Sequence, residues 1–176
     1  MLAPFECLCG NFILPEPASY VFFYAVSNLR NLLYIIKSMP IILDHQLREP
    51  ITFHTATFPI TYFCGELASL PNWTGPLHWH PDFEIVTAVS GVLDFQVGQQ
   101  HIILEAGDSI FVNGSVLHGI RQLSGDIPDP MPNVVFSGAV VAPETCRIYG
   151  KYIQPVASCD TLPFILFDKK EIGIMR

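Results

Sequence analysis

The sequence predicts an all-β barrel or sandwich, and three observations carry the prediction. From Ile51 onward the chain is a succession of short β-branched and aromatic runs. Gly, Pro, Asn or Asp separates most of them at intervals of roughly 8–12 residues, the spacing of strands in a closed or two-layered sheet. No helical period competes with this pattern. The composition agrees: 176 residues, 50% hydrophobic and 14% charged, suit one folded domain and exclude a disordered chain.

Residues 1–38 form an apolar extension. Tyr20–Leu43 contains the dense runs YVFFYAV and LLYII, broken by Asn28, Arg30, Asn31 and Lys37. No uninterrupted run approaches the roughly 20 residues of a bilayer span. The first basic residue is Arg30, so the charged start of an export signal is missing. The expected location is cytoplasmic, with no membrane partner. Two readings stay open. The extension packs on the main domain, or it lies outside the natural domain and translation begins at Met39, where the more polar MPIILDHQLREP starts.

Residues 39–167 form the main domain. ITFHTATF, ITYFCGEL, FEIVTAV, VLDFQV, QHIIL, SIFV and VVFSGAVV read as strands. A hairpin is expected at Gly98, between VLDFQV and QHIIL. Leu93, Phe95 and Val97 alternate there with Asp94 and Gln96, which predicts one buried and one wet face. GDIPDPMPN, with three prolines, reads as a loop excluded from any central strand. RIYGKYIQPV and LPFILFDKKEIG mix apolar and basic residues, with a short helix expected near the end, and residues 168–176 form a closing segment.

The net charge of −7 disfavours a nucleic-acid binder. Between Ser38 and Cys146 the only basic residues are Arg48 and Arg121, against eleven carboxylates. No basic stripe crosses this region, so it is expected to make no nucleic-acid contact. The five cysteines, Cys7, Cys9, Cys64, Cys146 and Cys159, contain no C-x-x-C pair and read as reduced thiols. Cys7 and Cys9 could share one face of a strand, but no second ligand pair is near to complete a metal site.

The candidate chemistry lies at His78, His80, Glu84 and His118. On a strand, residues i and i+2 point the same way, so the imidazoles of His78 and His80 converge. A straight strand would hold Glu84 roughly 20 Å from His78, far beyond two ligands each about 2 Å from one ion. The chain must therefore bend between them, and Pro81-Asp82 stands where the bend is needed. His118 follows Glu84 by thirty-four residues, just past GDSIFV and NGS. Three imidazoles and a carboxylate suit one divalent transition metal, Fe, Mn, Ni, Cu or Zn, with open positions for water or substrate. The alternative is a metal-free polar pocket whose side chains hydrogen-bond a ligand. Desolvating these groups together demands some occupant. His45, His54 and His101 read as surface or hydrogen-bonded histidines. Phe83 and Phe95 are candidates for apolar lining, with Trp79 turned away by strand alternation. Tyr62 is a candidate ligand-binding residue and, with Trp73, could stack on a ring-shaped ligand; core packing is the alternative for both.

At these residues the sequence resembles the cupin superfamily. The first cupin motif, G-x5-H-x-H-x3/4-E-x6-G, is met at His78, His80, Glu84 and Gly91, with its leading glycine displaced to Gly75. The second, G-x5-P-x-G-x2-H-x3-N, is met at Gly107 and His118; Asn113, Ser115 and Gln122 replace its proline, second glycine and asparagine. LHWHPDFEIVTAVSG, LEAGDSIFVNGSVLHGI and KYIQPV followed by LPFILF look like the amino-terminal sensing and dimerisation domain of AraC-type transcription regulators, over about Arg48 to Phe167.

That resemblance implies a cupin-type double-stranded β-barrel (jelly roll) that dimerises and binds a small effector, a sugar or small acid. In the full regulators it precedes a pair of helix-turn-helix units. Nine residues follow Phe167 here, against on the order of 100 for such a pair, so the DNA-reading part is expected to be absent from this chain. Two further readings stand beside the sensor: a metal-dependent cupin enzyme, a dioxygenase or sugar isomerase with the same four ligands, and a dimerisation module with a blocked pocket.

Overall fold

The computed structural model describes residues 6–7, 12–13, 41–53, 55, 57–64, 67 and 70–169. The chain divides into two compact units, essentially Met1–Ile36 and Lys37–Ile174. In the first, β1 (Glu6–Cys7) pairs antiparallel with β2 (Phe12–Ile13). The two open readings of the apolar extension otherwise fall outside the described residues.

The second unit contains β3 (Ile60–Cys64), β4 (Thr74–His78), β5 (Phe83–Thr87), β6 (Val92–Val97), β7 (Gln100–Glu105), β8 (Ser109–Val112), β9 (His118–Ser124), β10 (Pro132–Phe136) and β11 (Phe164–Phe167). They form a five-stranded sheet in the order β11-β8-β5-β10-β3 and a four-stranded sheet in the order β4-β9-β6-β7. Every pairing in both sheets is antiparallel. The predicted all-β jelly roll is thus the observed architecture.

Strand alternation builds the interior. Leu93, Phe95 and Val97 of β6 turn inward with Ile120 of β9 and Leu104 of β7, and meet Val86, Ile110 and Val112 of the other sheet in one buried cluster. Full burial of such a side chain contributes about 1.5–3 kcal/mol. The polar partners of that alternation, Asp94 and Gln96, fall on the outer face, but that face is not open to water as expected: Asp94 is buried beneath His101 and Arg121, and Gln96 is half-buried.

A second apolar layer covers the outside of the five-stranded sheet. Phe83, Phe111 and Phe136 pack there with Ile153 and Val156. These last two come from helical turns at Tyr149–Ile153 and Gln154–Ala157. The helical element therefore lies at KYIQPV, and FILF is β11, paired with β8; the expected terminal helix falls largely beyond the described residues.

Three strand expectations are corrected. The described residues of ITFHTATF are not a strand: Pro50 and Pro59 flank it, and the Thr55 hydroxyl oxygen accepts from the Phe58 amide at 3.1 Å, closing a local turn. VVFSGAVV is a strand only to Phe136, because the Ser137 hydroxyl caps a helical turn at Gly138–Val140. Conversely, GDIPDPMPN runs into a central strand. Pro132 is the first residue of β10 and pairs only toward β3, while pairing toward β5 begins at Asn133, so the missing N–H costs no bond.

The β6–β7 hairpin turns at Gly98, with φ of 57°. Gly91 also has a positive φ, 69°, and a Cβ there would come 2.3 Å from the Ser124 carbonyl oxygen. Both turns need glycine. Among the described residues no helix is long and apolar enough to cross a membrane.

Candidate metal and ligand centre

The centre is assembled from both sheets. His78 and His118 are direct register partners on β4 and β9, with ring centroids 4.3 Å apart. Glu84 comes from the inner face of β5. His80 sits in the connection between the sheets, and the chain bends at Pro81 and Asp82 before β5 begins. The bend that the spacing required is present, and it carries the chain from one sheet to the other.

All four side chains are buried, and their ligand atoms lie within 4.8 Å of one another. Two donors at about 2.0–2.2 Å from a shared ion are at most about 4.4 Å apart, so this set closes on one ion with shifts of a few tenths of an ångström. The histidine orientations favour it. Nδ1 of His78 donates to the Pro76 carbonyl at 2.9 Å, Nδ1 of His80 to that of Asp82 at 3.0 Å, and Nδ1 of His118 to that of Val116 at 2.8 Å. A carbonyl only accepts, so each Nδ1 carries a proton and each Nε2 faces the centre, where those of His80 and His118 donate to Oε2 of Glu84 and would give up that proton to an ion. The donor set and its orientation fit a divalent transition metal.

The charges follow from the same geometry. Burial pushes His78 down to about 4, helped by the neighbouring His118, and its ring is neutral at neutral pH. For Glu84 burial opposes ionisation, but bonds from His118 and His80 outweigh it and hold the carboxyl far below its usual range. His80 moves up: burial opposes its charge, and the Glu84 bond and charge exceed that opposition. Oε2 of Glu84 lies 2.8 Å from Nε2 of His118 and 3.3 Å from Nε2 of His80.

Two contributors escaped the sequence. Asn133 of β10 donates to Oε1 of Glu84 at 2.7 Å, and its own Oδ1 is buried without a hydrogen-bond partner. Glu49 places Oε2 at 3.4 Å from Nε2 of His78. Burial and the charge of Glu84 raise its pKa. Asn133 was hidden in the proline-rich segment, and Glu49 stands twenty-nine residues before His78 with no motif around it.

The remaining candidates divide. The Phe95 ring stacks parallel to that of His118, with centroids 6.1 Å apart. Phe83 belongs to the outer cluster and does not line the centre. Trp79 faces away: its indole N–H donates to the Gln46 carbonyl at 3.0 Å. Trp73 packs against the core. Tyr62 is in register with Val134 and, through it, Ile85. Alternation sets it on the face opposite Glu84, so the fold does not bring it to the four ligands. His101 bonds Asp94 at 2.7 Å, His45 is exposed, and His54 lies outside the described residues.

The motif departures have structural work. The Asn113 amide donates to the carbonyls of Val156 at 2.8 Å and Leu162 at 3.1 Å, tying the helical turns to the barrel. The Ser115 amide donates to the His80 carbonyl at 2.7 Å from a backbone with φ of 63°. The Gln122 amide donates to the Ile127 carbonyl at 2.8 Å and its oxygen accepts from the Asp129 amide at 2.7 Å, fixing the loop before β10.

A family profile described as Cupin domain matches residues 67–128, a span that holds all four ligands. Over that span the chain is similar to cupin domains. The chain is 26% identical over 124 residues to an uncharacterized HTH-type transcriptional regulator, YdeC, of Bacillus subtilis, covering 70% of this chain and 42% of that protein. The expected likeness to transcription regulators is thereby met, and the chain spans less than half of that relative's length. Among solved structures, a Cupin 2 conserved barrel protein from Salinispora arenicola is 19% identical with a TM-score of 0.38, covering 61% of this chain and 92% of that one. ToxT from Vibrio cholerae is 11% identical with a TM-score of 0.41, covering 58% and 41%.

Proposed function

We propose that this chain is the small-molecule-sensing and dimerisation domain of an AraC-type transcription regulator. The observation that carries the reading is the 26% identity to an HTH-type regulator across 70% of the chain, in a chain whose buried polar groups converge on one internal point. His78, His80, Glu84 and His118 would hold a divalent metal there. Such an ion supplies Lewis acidity toward an oxygen of the effector. The protein's own part is orientation. Three backbone carbonyls fix the imidazoles, Asn133 fixes the carboxylate, and Phe95 walls one side with apolar surface.

The effector would act by binding one arrangement of the domain better than another, shifting dimer geometry and thereby a DNA-reading part elsewhere in the full regulator. A metal-dependent enzyme would use the same four ligands, and no feature of the centre favours it over the sensor.

Elemental analysis of purified protein, with His78→Ala as control, tests the metal. A thermal-shift screen against sugars and small acids tests the sensor, since an effector at 100 times its Kd stabilises by about 2.7 kcal/mol. Turnover of a bound compound, without any effect on association or DNA binding of the full regulator, would overturn the sensing role.

A further inference from the structure

Glu49 is held beside the centre by a short rigid segment. The Asp44 carboxylate accepts from the amides of Gln46 at 2.8 Å and Arg48 at 3.0 Å, closing a turn. The Glu49 amide donates to the Trp79 carbonyl at 2.9 Å, and the Trp79 amide to the Leu47 carbonyl at 3.0 Å. The Arg48 guanidinium lies 5.7 Å from the centroid of the Trp79 ring. Glu49 is thus docked next to His78, the residue before Trp79, with its carboxylate mostly buried.

Among the described residues the basic groups facing its carboxylate are the histidines of the centre, and no Lys or Arg is paired with it. Arg48 is committed to Trp79. Arg121 points outward, 57% exposed, to Asp94. These are the only Lys or Arg between Ser38 and Cys146. A divalent ion held by three neutral imidazoles and Glu84 would leave the centre at about +1, and an ionised Glu49 beside it brings the sum to about zero. The ion would also take the Nε2 lone pair of His78. The Glu49 oxygen, 3.4 Å away, then requires another donor, either water on the ion or a hydroxyl or amine of the ligand.

We infer that Glu49 is the specificity-determining residue of this centre, selecting uncharged or cationic ligands that carry hydroxyl or amine donors and rejecting anionic ones. This rests on the metal-holding reading above and narrows the effector to hydroxylated or amino compounds over acids.

Cobalt(II) and azide, as metal and anion probes, test it on the whole chain, in wild type, Glu49→Gln and Glu49→Ala. Loss of the nearby carboxylate is expected to weaken cobalt(II) binding about 10-fold. It is expected to tighten azide binding to the cobalt-loaded protein about 10-fold or more, read from the visible spectrum. Opposite shifts of the two affinities are what a purely structural role would not produce. If wild type takes up cobalt(II) but neither variant shifts azide affinity, the inference is wrong and the metal centre stands. If wild type takes up no cobalt(II), the metal-holding reading fails and the inference with it.

Discussion

Asn133 holds Glu84 by one oxygen and so turns the other toward the histidines: its amide donates to Oε1 at 2.7 Å, while Oε2 meets His118 at 2.8 Å. The two residues sit on adjacent strands, with Glu84 opposite Val135, two positions from Asn133 on the same face. Asn133→Ala removes this orienting bond. Metal affinity is expected to fall about 10-fold, with a stability loss of about 1.5–3 kcal/mol, as for a bond to a buried charged group. Metal titration and urea unfolding of the variant check the two numbers separately.

Positions 114 and 115 respond oppositely to small changes. A Cβ on Gly114 would lie 2.3 Å from the Pro81 carbonyl oxygen, so Gly114→Ala must displace the bend that carries His80 to the centre. The expected cost is about 1–3 kcal/mol together with weakened metal binding. Ser115 already bears a positive φ of 63° where the cupin motif has glycine. Ser115→Gly relieves about 1–2 kcal/mol of left-handed strain against about 0.5–1 kcal/mol of added chain entropy. It is expected to be neutral to slightly stabilising in a thermal melt.

Trp79 clamps residues 46–49 to the end of β4. Trp79→Ala removes the bond to Gln46 and the contact with Arg48. Amide hydrogen exchange is expected to accelerate at Arg48 and Glu49, while the β5 and β8 amides keep wild-type protection. Uniform acceleration through both sheets would contradict a local clamp.

On the outer face of the four-stranded sheet, Asp94 accepts from His101 at 2.7 Å and Arg121 at 3.0 Å. Burial opposes its ionisation, but the two bonds outweigh this and lower its pKa. A carboxyl whose folded value lies below its unfolded value adds stability above the unfolded value. That stability is lost as pH falls through the lowered folded value. Wild type is expected to exceed Asp94→Asn by about 1 kcal/mol at pH 7, the upper end for an ion pair whose basic partners are exposed while the carboxylate is buried. In urea titrations the difference should close in strong acid.

Much of the centre was legible because local geometry and motif spacing agree. The i, i+2 pair His78 and His80, the bend forced before Glu84 and the distant His118 are statements about strand geometry, which is set by neighbours in the chain. The alternation of Leu93, Phe95 and Val97 named the inner face of β6 for the same reason. Propensity misled at ITFHTATF, where β-branched residues favour a strand but a serine-type turn at Thr55 takes the backbone bonds instead.

By itself, then, the sequence determined an all-β barrel, four side chains able to converge and a central stretch nearly without Lys or Arg. Only the tertiary structure decided which groups surround those side chains. It brought Asn133 to Glu84, docked Glu49 against His78 and carried Tyr62 to the other face of its sheet. Local pattern reports the direction in which a side chain leaves its own strand. Which strand lies opposite, and in which register, is fixed by packing two sheets about one buried core, and that is a property of the whole chain.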